Sequence, residues 1–361
     1  MSAAKKRDLT IVVNPGSTST KLAIYRGSEC LASETIDHPK GDLAKFHCVA
    51  EQYEFRRDEV LKFLAARGVD LQQVLAVAGR GGLTKPIPGG VYAVNAKMIR
   101  DLRSGKWGEH PSSLGAPIAQ EIAKRCGCPA FISDPVVVDE LCPLARYAGH
   151  PAFERRSRFH ALSQRAAARR AARELGTKYE KANFVVVHMG GGISIGAHQK
   201  GRVIDVNDAL DGDGPFSPER SGSLPTGPLV DLCFTGKKTH QEVRKMLVGH
   251  GGMFAYLGTI DCRDVEERIK KGDEKATAVY SAMAYQIGKW IGASAAVLCG
   301  KVNAVVVTGG MSRSKLLVSM IRKYAGFVAP FVVYPEVEEM IALATAAQGA
   351  VAGKLQVQEY R

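Results

Sequence analysis

Three glycine-bearing turns, far apart in the chain, hold the residue types that can do chemistry on a phosphate. The first is "NPGSTSTK", Asn14 to Lys21. Gly16, Ser17, Thr18, Ser19 and Thr20 offer backbone N–H groups and small hydroxyls without bulk, and such groups can surround an anion. Lys21 can bring a cation to it, and Asn14 offers a neutral oxygen suited to a hydrated magnesium ion. The second turn is "HMGGGISIG", His188 to Gly196, where Gly190, Gly191 and Gly192 exclude side chains and let the backbone touch a ligand. The third is "VTGGMSRSK", where an apolar strand meets Gly309 and Gly310 ahead of a helical segment. Strand–Gly–Gly–helix fits the phosphate or adenosine end of a nucleotide, and ordinary α/β turns share the pattern. The first turn is no Walker loop, because the GxxxxGK[ST] spacing and the following helix are missing.

The elements that must position these turns are short and alternate in type. Val/Ile-rich runs bounded by Gly or Pro recur at 9–13, 21–25, 74–78, 135–138, 184–187, 193–197, 203–206, 304–308 and 331–334. Between them lie Ala/Leu/Arg/Glu segments of helical character at 57–67, 114–125, 159–175, 264–271 and 275–299. Strands alternating with helices predict an α/β architecture. The opening hairpin argues against a plain doubly wound sheet. "IVVNPGSTSTKLAIY" and "VVVHMGGGISIGAH" share one plan, half a chain apart: apolar strand residues, one polar residue, a glycine turn, a second strand. That echo predicts two related domains, although strand–Gly–strand is also a common hairpin. A length of 361 residues suits two domains. The connector 211–228, rich in Gly and Pro, is long enough to expect function of it.

The net charge of +13 fits either nucleic acid or a cleft for polyanionic small molecules. Arg165, Arg169 and Arg173 share one helix face, but aromatic interleaving is nearly absent, which speaks against single-strand binding. The eight cysteines are scattered without zinc spacing, so reduced cytosolic thiols are expected. No apolar run approaches bilayer length, and "MSAAKKRDLT" lacks the apolar core of a signal peptide. His198, His240 and His250 form no ligand spacing and read as surface residues.

Taken together, the blocks "NPGSTSTKLAIY", "SDPVVVDELCPLARYAG", "RFHALSQRAAARRAARELG", "VVVHMGGGISIGAHQKGRVIDVNDALDGDGPFSPERSGSLPTG", "DCRDVEERI", "VVTGGMSRSKLL" and "YPEVEEMIALATAA" resemble, in order, the acetate and butyrate kinase family of the actin/hexokinase-like superfamily. The resemblance implies two duplicated actin-like, ribonuclease H-like domains with a nucleotide cleft between them. The first would comprise residues 1–155 plus 340–361 and the second 156–339. It implies ATP-dependent, reversible, in-line phosphorylation of a short-chain carboxylic acid to its acyl phosphate, with ATP/ADP and Mg2+ as cofactors. Butyrate is the expected acid, with isobutyrate, acetate or propionate as alternatives. A cytoplasmic homodimer that binds neither nucleic acid nor membrane is also implied.

Carried over by resemblance, Asn14 and Glu338 hold magnesium, with Glu339 as the alternative to Glu338. Ser17, Ser19 and Lys21 flank the phosphates, as do His188, Gly190, Gly191 and Gly192. Arg80 grips the substrate carboxylate, and Asp134 orients that arginine or the metal. His160 stabilises the transferring phosphoryl group. Arg220 stands in for an arginine that the acetate kinases carry beyond the long loop. Asp261, Arg263, Gly309 and Gly310 bind adenosine. Gln164 replaces a second histidine of the acetate kinases, and Gly191 an asparagine. A carboxylate is already a nucleophile at neutral pH, so this chemistry asks for positioning and charge neutralisation, not a general base. An actin-like ATP-binding protein without transfer activity would need the glycine turns but not Arg80, Asp134 and His160.

Overall fold

The computed structural model describes residues 6–335 and 339–361. Two compact units divide them: 6–138 together with 339–361, and 139–335. The described strands, in chain order, are β1 (Leu9–Pro15), β2 (Ser19–Arg26), β3 (Glu29–Asp37), β4 (Val74–Arg80), β5 (Val91–Ala93), β6 (Ala130–Ser133), β7 (Asn183–Met189), β8 (Ile193–Gln199), β9 (Arg202–Val206), β10 (Ala304–Thr308), β11 (Phe331–Tyr334) and β12 (Val357–Gln358).

The first unit's sheet runs β12-β5-β6-β4-β1-β2-β3, the second's β11-β10-β7-β8-β9. In the first, β1, β2 and β3 form an antiparallel meander, β4 lies parallel to β1, and β6 lies parallel to β4. In the second, β7, β8 and β9 form the meander, β10 lies parallel to β7, and β11 lies parallel to β10. The two sheets therefore share one strand plan, to which the first adds β5 and β12. The repeat heard in the sequence is a repeat of topology, and Asn14 and His188 occupy the same position of β1 and β7.

Both of these strands are buried on both faces, which is why they read as unbroken apolar runs. Their alternating side chains meet different helices. Ile11 and Val13 join the core that helix Gly115–Cys126 and helix Tyr53–Ala66 complete with Ile118, Ile122, Val60 and Phe63. On the other parity, Thr10 accepts a hydrogen bond from Gln348 Nε2 of helix Glu339–Val351, 3.2 Å away. Asn14 shares that parity and so faces the start of the same helix. In β7, Val185, Val187 and Met189 pack with helices Glu274–Val297 and Lys315–Ala325, whereas Phe184 and Val186 meet the alanines of helix Ala161–Glu174. His188 shares the parity of Phe184 and Val186.

Two boundaries differ from expectation. The division expected at 155 lies at 138/139. The intervening segment is tied to β9: Cys142 N donates to Ile204 O (2.9 Å), Val203 N to Glu140 Oε2 (2.8 Å), and Arg155 Nη1 to Asp205 Oδ1 (2.9 Å). The run 135–138 is a turn, and the strand is the preceding Ala130–Ser133. Pro135 has no N–H for a ladder, and Asp134, at φ 42°, ends the extended backbone before it. No described helix is long and apolar enough to cross a membrane.

β4 and helix Gly115–Cys126 approach each other backbone to backbone. A Cβ on Gly115 would stand 2.3 Å from Arg80 O, and one on Gly79 2.3 Å from Gly115 O. No side chain can swing aside to relieve either clash. Gly115→Ala is therefore expected to destabilise by ~1–3 kcal/mol, lowering Tm by several degrees in a thermal melt. Gly149→Ala, which would meet nothing within 4 Å, should leave Tm unchanged.

Candidate active site

In the first unit, adjacent strand ends carry the predicted polar residues. β1, β4 and β6 run parallel, and ligands of such sheets sit at the carboxyl ends of the strands. Asn14 lies near the end of β1 and Arg80 at the end of β4. Ser133, the β6 partner of Arg80 in register, directly precedes Asp134. Arg80 Nη1 donates to Asn14 Oδ1 (3.2 Å) and to Glu339 Oε2 (3.0 Å), and Asn14 Nδ2 donates to the same Glu339 oxygen (3.2 Å). The group is half-buried, with Arg80 26% and Glu339 15% exposed. Glu338 lies outside the described residues.

Asp134 is buried, and its Oδ1 accepts the N–H of Gly90 at 2.8 Å. A left-handed backbone on a non-glycine residue costs about 1–3 kcal/mol, and such strain is kept where the site determines it. Ser17 and Lys21 are exposed and Ser19 half-exposed on the β1–β2 hairpin, whose register sets Lys21 opposite Asn14.

In the second unit, the predicted residues gather around the turn Gly190–Gly192. His188 and His160, the latter directly before helix Ala161–Glu174, stack ring on ring with centroids 3.9 Å apart and planes at 12°. His160 Nδ1 lies 2.9 Å from Ser194 Oγ. Gln164 Nε2 donates to the same hydroxyl (2.8 Å), and its Oε1 lies 2.9 Å from His198 Nε2. His198 Nδ1 lies 2.9 Å from the Tyr179 hydroxyl. His198, expected on the surface, is thus wholly buried inside this network. Burial, then Arg165 and Arg169, hold its pKa well below the ordinary value, so the ring is neutral.

Arg220 closes the far side of the turn. A Cβ on Gly192 would stand 2.2 Å from Arg220 Nη1, so only glycine lets this guanidinium lie against the backbone. Nη1 donates to Ala209 O, the Glu219 carboxylate is 4.0 Å from Nη2, and Nε is buried without a hydrogen-bond partner among the described residues. Ser217 Oγ donates to Gly191 O at 2.5 Å, so that turn carbonyl is already occupied.

A cavity of about 690 Å3 opens beside the turn, bounded by Gly190 and Gly191, Asp261 and Arg263, and Gly310 and Arg313. That volume suits a small-molecule ligand. Residues from three distant stretches of sequence meet here. Asp261 caps helix Cys262–Lys270 and pairs with Arg263, whose hydrogen bonds hold its carboxyl down to about 2. Gly309, at φ 90°, lies against Met189 of β7.

Three contributors escaped the sequence reading. Ser194 was legible in principle, because the β7–β8 hairpin register pairs it with His188. Glu266, on the cavity wall, accepts hydrogen bonds from Tyr280 and Ser314; it lies inside the block "DCRDVEERI", where the resemblance marks only Asp261 and Arg263. Arg56 looks like one of two solvated arginines in "FRRDE". Yet it stands on the stripe with Val60, Phe63 and Leu64 and is fully buried.

Residues 144–324 match the model of the acetokinase family. A probable butyrate kinase of Listeria innocua is 49% identical over 343 residues, spanning 95% of this chain and 97% of that protein. Butyrate kinase 2 of Clostridium acetobutylicum is 48% identical over 351 residues, 97% of this chain and 99% of its own. Among solved structures, an acetate kinase of Porphyromonas gingivalis has a TM-score of 0.76 at 19% identity, covering 94% of this chain and 99% of that one. A propionate kinase from Francisella tularensis has a TM-score of 0.74 at 17% identity, covering 95% and 99%. The structural likeness shows a common two-domain actin-like fold. With near-half identity along almost the whole length, the chain belongs to the acetokinase family, alongside the curated butyrate kinases.

Proposed function

We propose that this protein transfers the γ-phosphoryl group of ATP to a short-chain carboxylic acid, butyrate or a branched four- or five-carbon acid, and runs the reaction in both directions. A carboxylate oxygen forms the new bond to phosphorus as the bond to the β-phosphate oxygen breaks, and ADP leaves. No proton has to move, so no base is required. The task is to bring two anions together and neutralise the charge that spreads over the transferred group.

The observation that carries this reading is the surround of the Gly190–Gly192 turn. Arg220 is buried against a turn without side chains, with Nε unsatisfied among the described residues, and two stacked imidazoles stand beside it. Donors converge there, and Ser194 fixes the ring of His160. Arg220 and His160 are assigned to the transferred phosphoryl group. The cavity at Asp261, Arg263 and Gly310 is assigned to adenosine. Arg80 is assigned to the acid, since its planar fork matches a carboxylate. Magnesium keeps much of its water and takes one or two carboxylates plus phosphate oxygens. The amide oxygen of Asn14 and the carboxylate of Glu339 fit that demand, and the ion would neutralise phosphate charge. The cytoplasm as location, a homodimer, and no nucleic acid as partner belong to the same proposal.

Each methylene of the acid is worth only about 1–3 kcal/mol in an apolar pocket. In a kcat/KM series over acetate, propionate, butyrate, isobutyrate and valerate, the four- and five-carbon acids should lead. Equal or better use of acetate would overturn the choice of acid, and ADP release independent of any acid would overturn the kinase reading.

Arg80→Ala should lower kcat/KM for the acid roughly 10²–10³-fold while nucleotide affinity stays nearly intact. Loss of nucleotide affinity with unchanged acid saturation would reassign the arginine. Glu339→Gln should raise the magnesium concentration needed for half-maximal rate, and an unchanged metal requirement would take Glu339 out of the ion's shell.

A further inference from the structure

The Gly16–Thr20 turn is held from behind by a cation that the chemistry above does not use. Arg56, on helix Tyr53–Ala66, has no exposed surface. Its Nη1 donates to Gly16 O (3.0 Å), Ser19 O (3.1 Å) and Thr20 Oγ1 (3.1 Å), its Nη2 to Ser17 O (3.4 Å), and its Nε to Gln52 Oε1 (3.1 Å). Every one of these acceptors is neutral, and among the described residues no carboxylate lies within 4.0 Å of the guanidinium. Burial alone pulls its pKa down to about 10, so it remains charged at neutral pH. Next to it, Thr20 Oγ1 lies 2.8 Å from His38 Nε2. Burial, followed by the charge of Arg56, lowers the pKa of that ring.

A buried charge without a counter-charge is expensive, and one partner removed from a buried pair is the costly state. Ordinary packing does not favour it. It becomes intelligible when the counter-charge arrives with a ligand. Carbonyl oxygens of the turn would repel an anion. Arg56 takes three of them as acceptors, and Gly16 N is paired to Ser19 O at 2.7 Å, so the turn is closed. The exposed residues Ser17 and Thr18 are left with donors.

We infer that Arg56 is a positioning residue for nucleotide phosphate: it clamps the carbonyls of Gly16, Ser17 and Ser19 away from the ligand and supplies, through the backbone, the charge that a polyphosphate completes. This rests on reading the first turn as a phosphate site.

The test uses the full chain as wild type, Arg56→Met and Arg56→Lys, with affinities for ATP, ADP and adenosine measured by calorimetry beside steady-state kinetics. Arg56→Met should weaken ATP at least about tenfold and leave adenosine and the acid's KM unchanged, because the lost interaction is with phosphate charge. Arg56→Lys should fall between, restoring charge without the fork. Equal losses for ATP and adenosine would show a merely structural role and overturn the inference, as would unchanged ATP affinity. Should Arg56→Met fail to fold, Arg56→Lys carries the test, and an unaltered ratio of ATP to adenosine affinity would overturn the clamp. Acid-dependent turnover by the wild type with that ratio insensitive to residue 56 defeats this inference alone. An Arg56-dependent ratio in a wild type that ignores carboxylic acids defeats the kinase reading alone.

Discussion

A strand buried on both faces can tolerate a polar side chain only where it runs out of cover. β1 and β7 obey that constraint in the same way. Each has an apolar run with one polar residue near its carboxyl end, Asn14 in one and His188 in the other. Strand alternation then fixes which helix that residue meets. Asn14 is delivered to Glu339 at the head of one helix, and His188 to His160 at the head of another. Each chemical grouping is thus a product of core packing: the register that hides the valines also aims the polar end.

Around these ends the protein concentrates cations and donors, and keeps their competitors occupied. Arg80 is shared between an amide and a carboxylate, Arg220 lies against bare backbone, and Ser217 holds a turn carbonyl in place. The glycines make this possible by removing side chains from the line of approach. The network Gln164–His198–Tyr179 shows how much buried polar structure is spent on one ring's orientation. Its members are mutually satisfied, which is the condition under which such a network rigidifies a site.

Much of this was legible from residue order. Glycine turns after apolar runs announced the hairpins, and their echo announced a repeated topology. The residues gathered at the second turn and at the cavity beside it came from blocks of matching sequence. What the sequence could not reveal has physical causes. Arg56 adjoins Arg57, which pairs with Asp58 at the surface, so a charged pair of identical residues hid one core member. Its place on the apolar stripe was the available signal. His198 is polar by type, but β8 is buried on both faces, and on the face it shares with Ser194 and Gly196 its cost of burial is met by Gln164 and Tyr179, from elsewhere in the chain. The run after Asp134 has strand composition, yet proline and a left-handed residue forbid a ladder. The division at 138/139 depends on pairing with β9, which no local pattern encodes.

The way the two units share the chain has a consequence for biosynthesis. The second unit is one uninterrupted stretch, whereas the first takes in the final residues, with helix Glu339–Val351 over its sheet, β12 beside β5 and Tyr360 buried. Domains fold as they emerge from the ribosome when their parts are at hand. Here the earlier-made half must wait, its sheet uncovered on one side, until the later-made half has been completed and the tail follows.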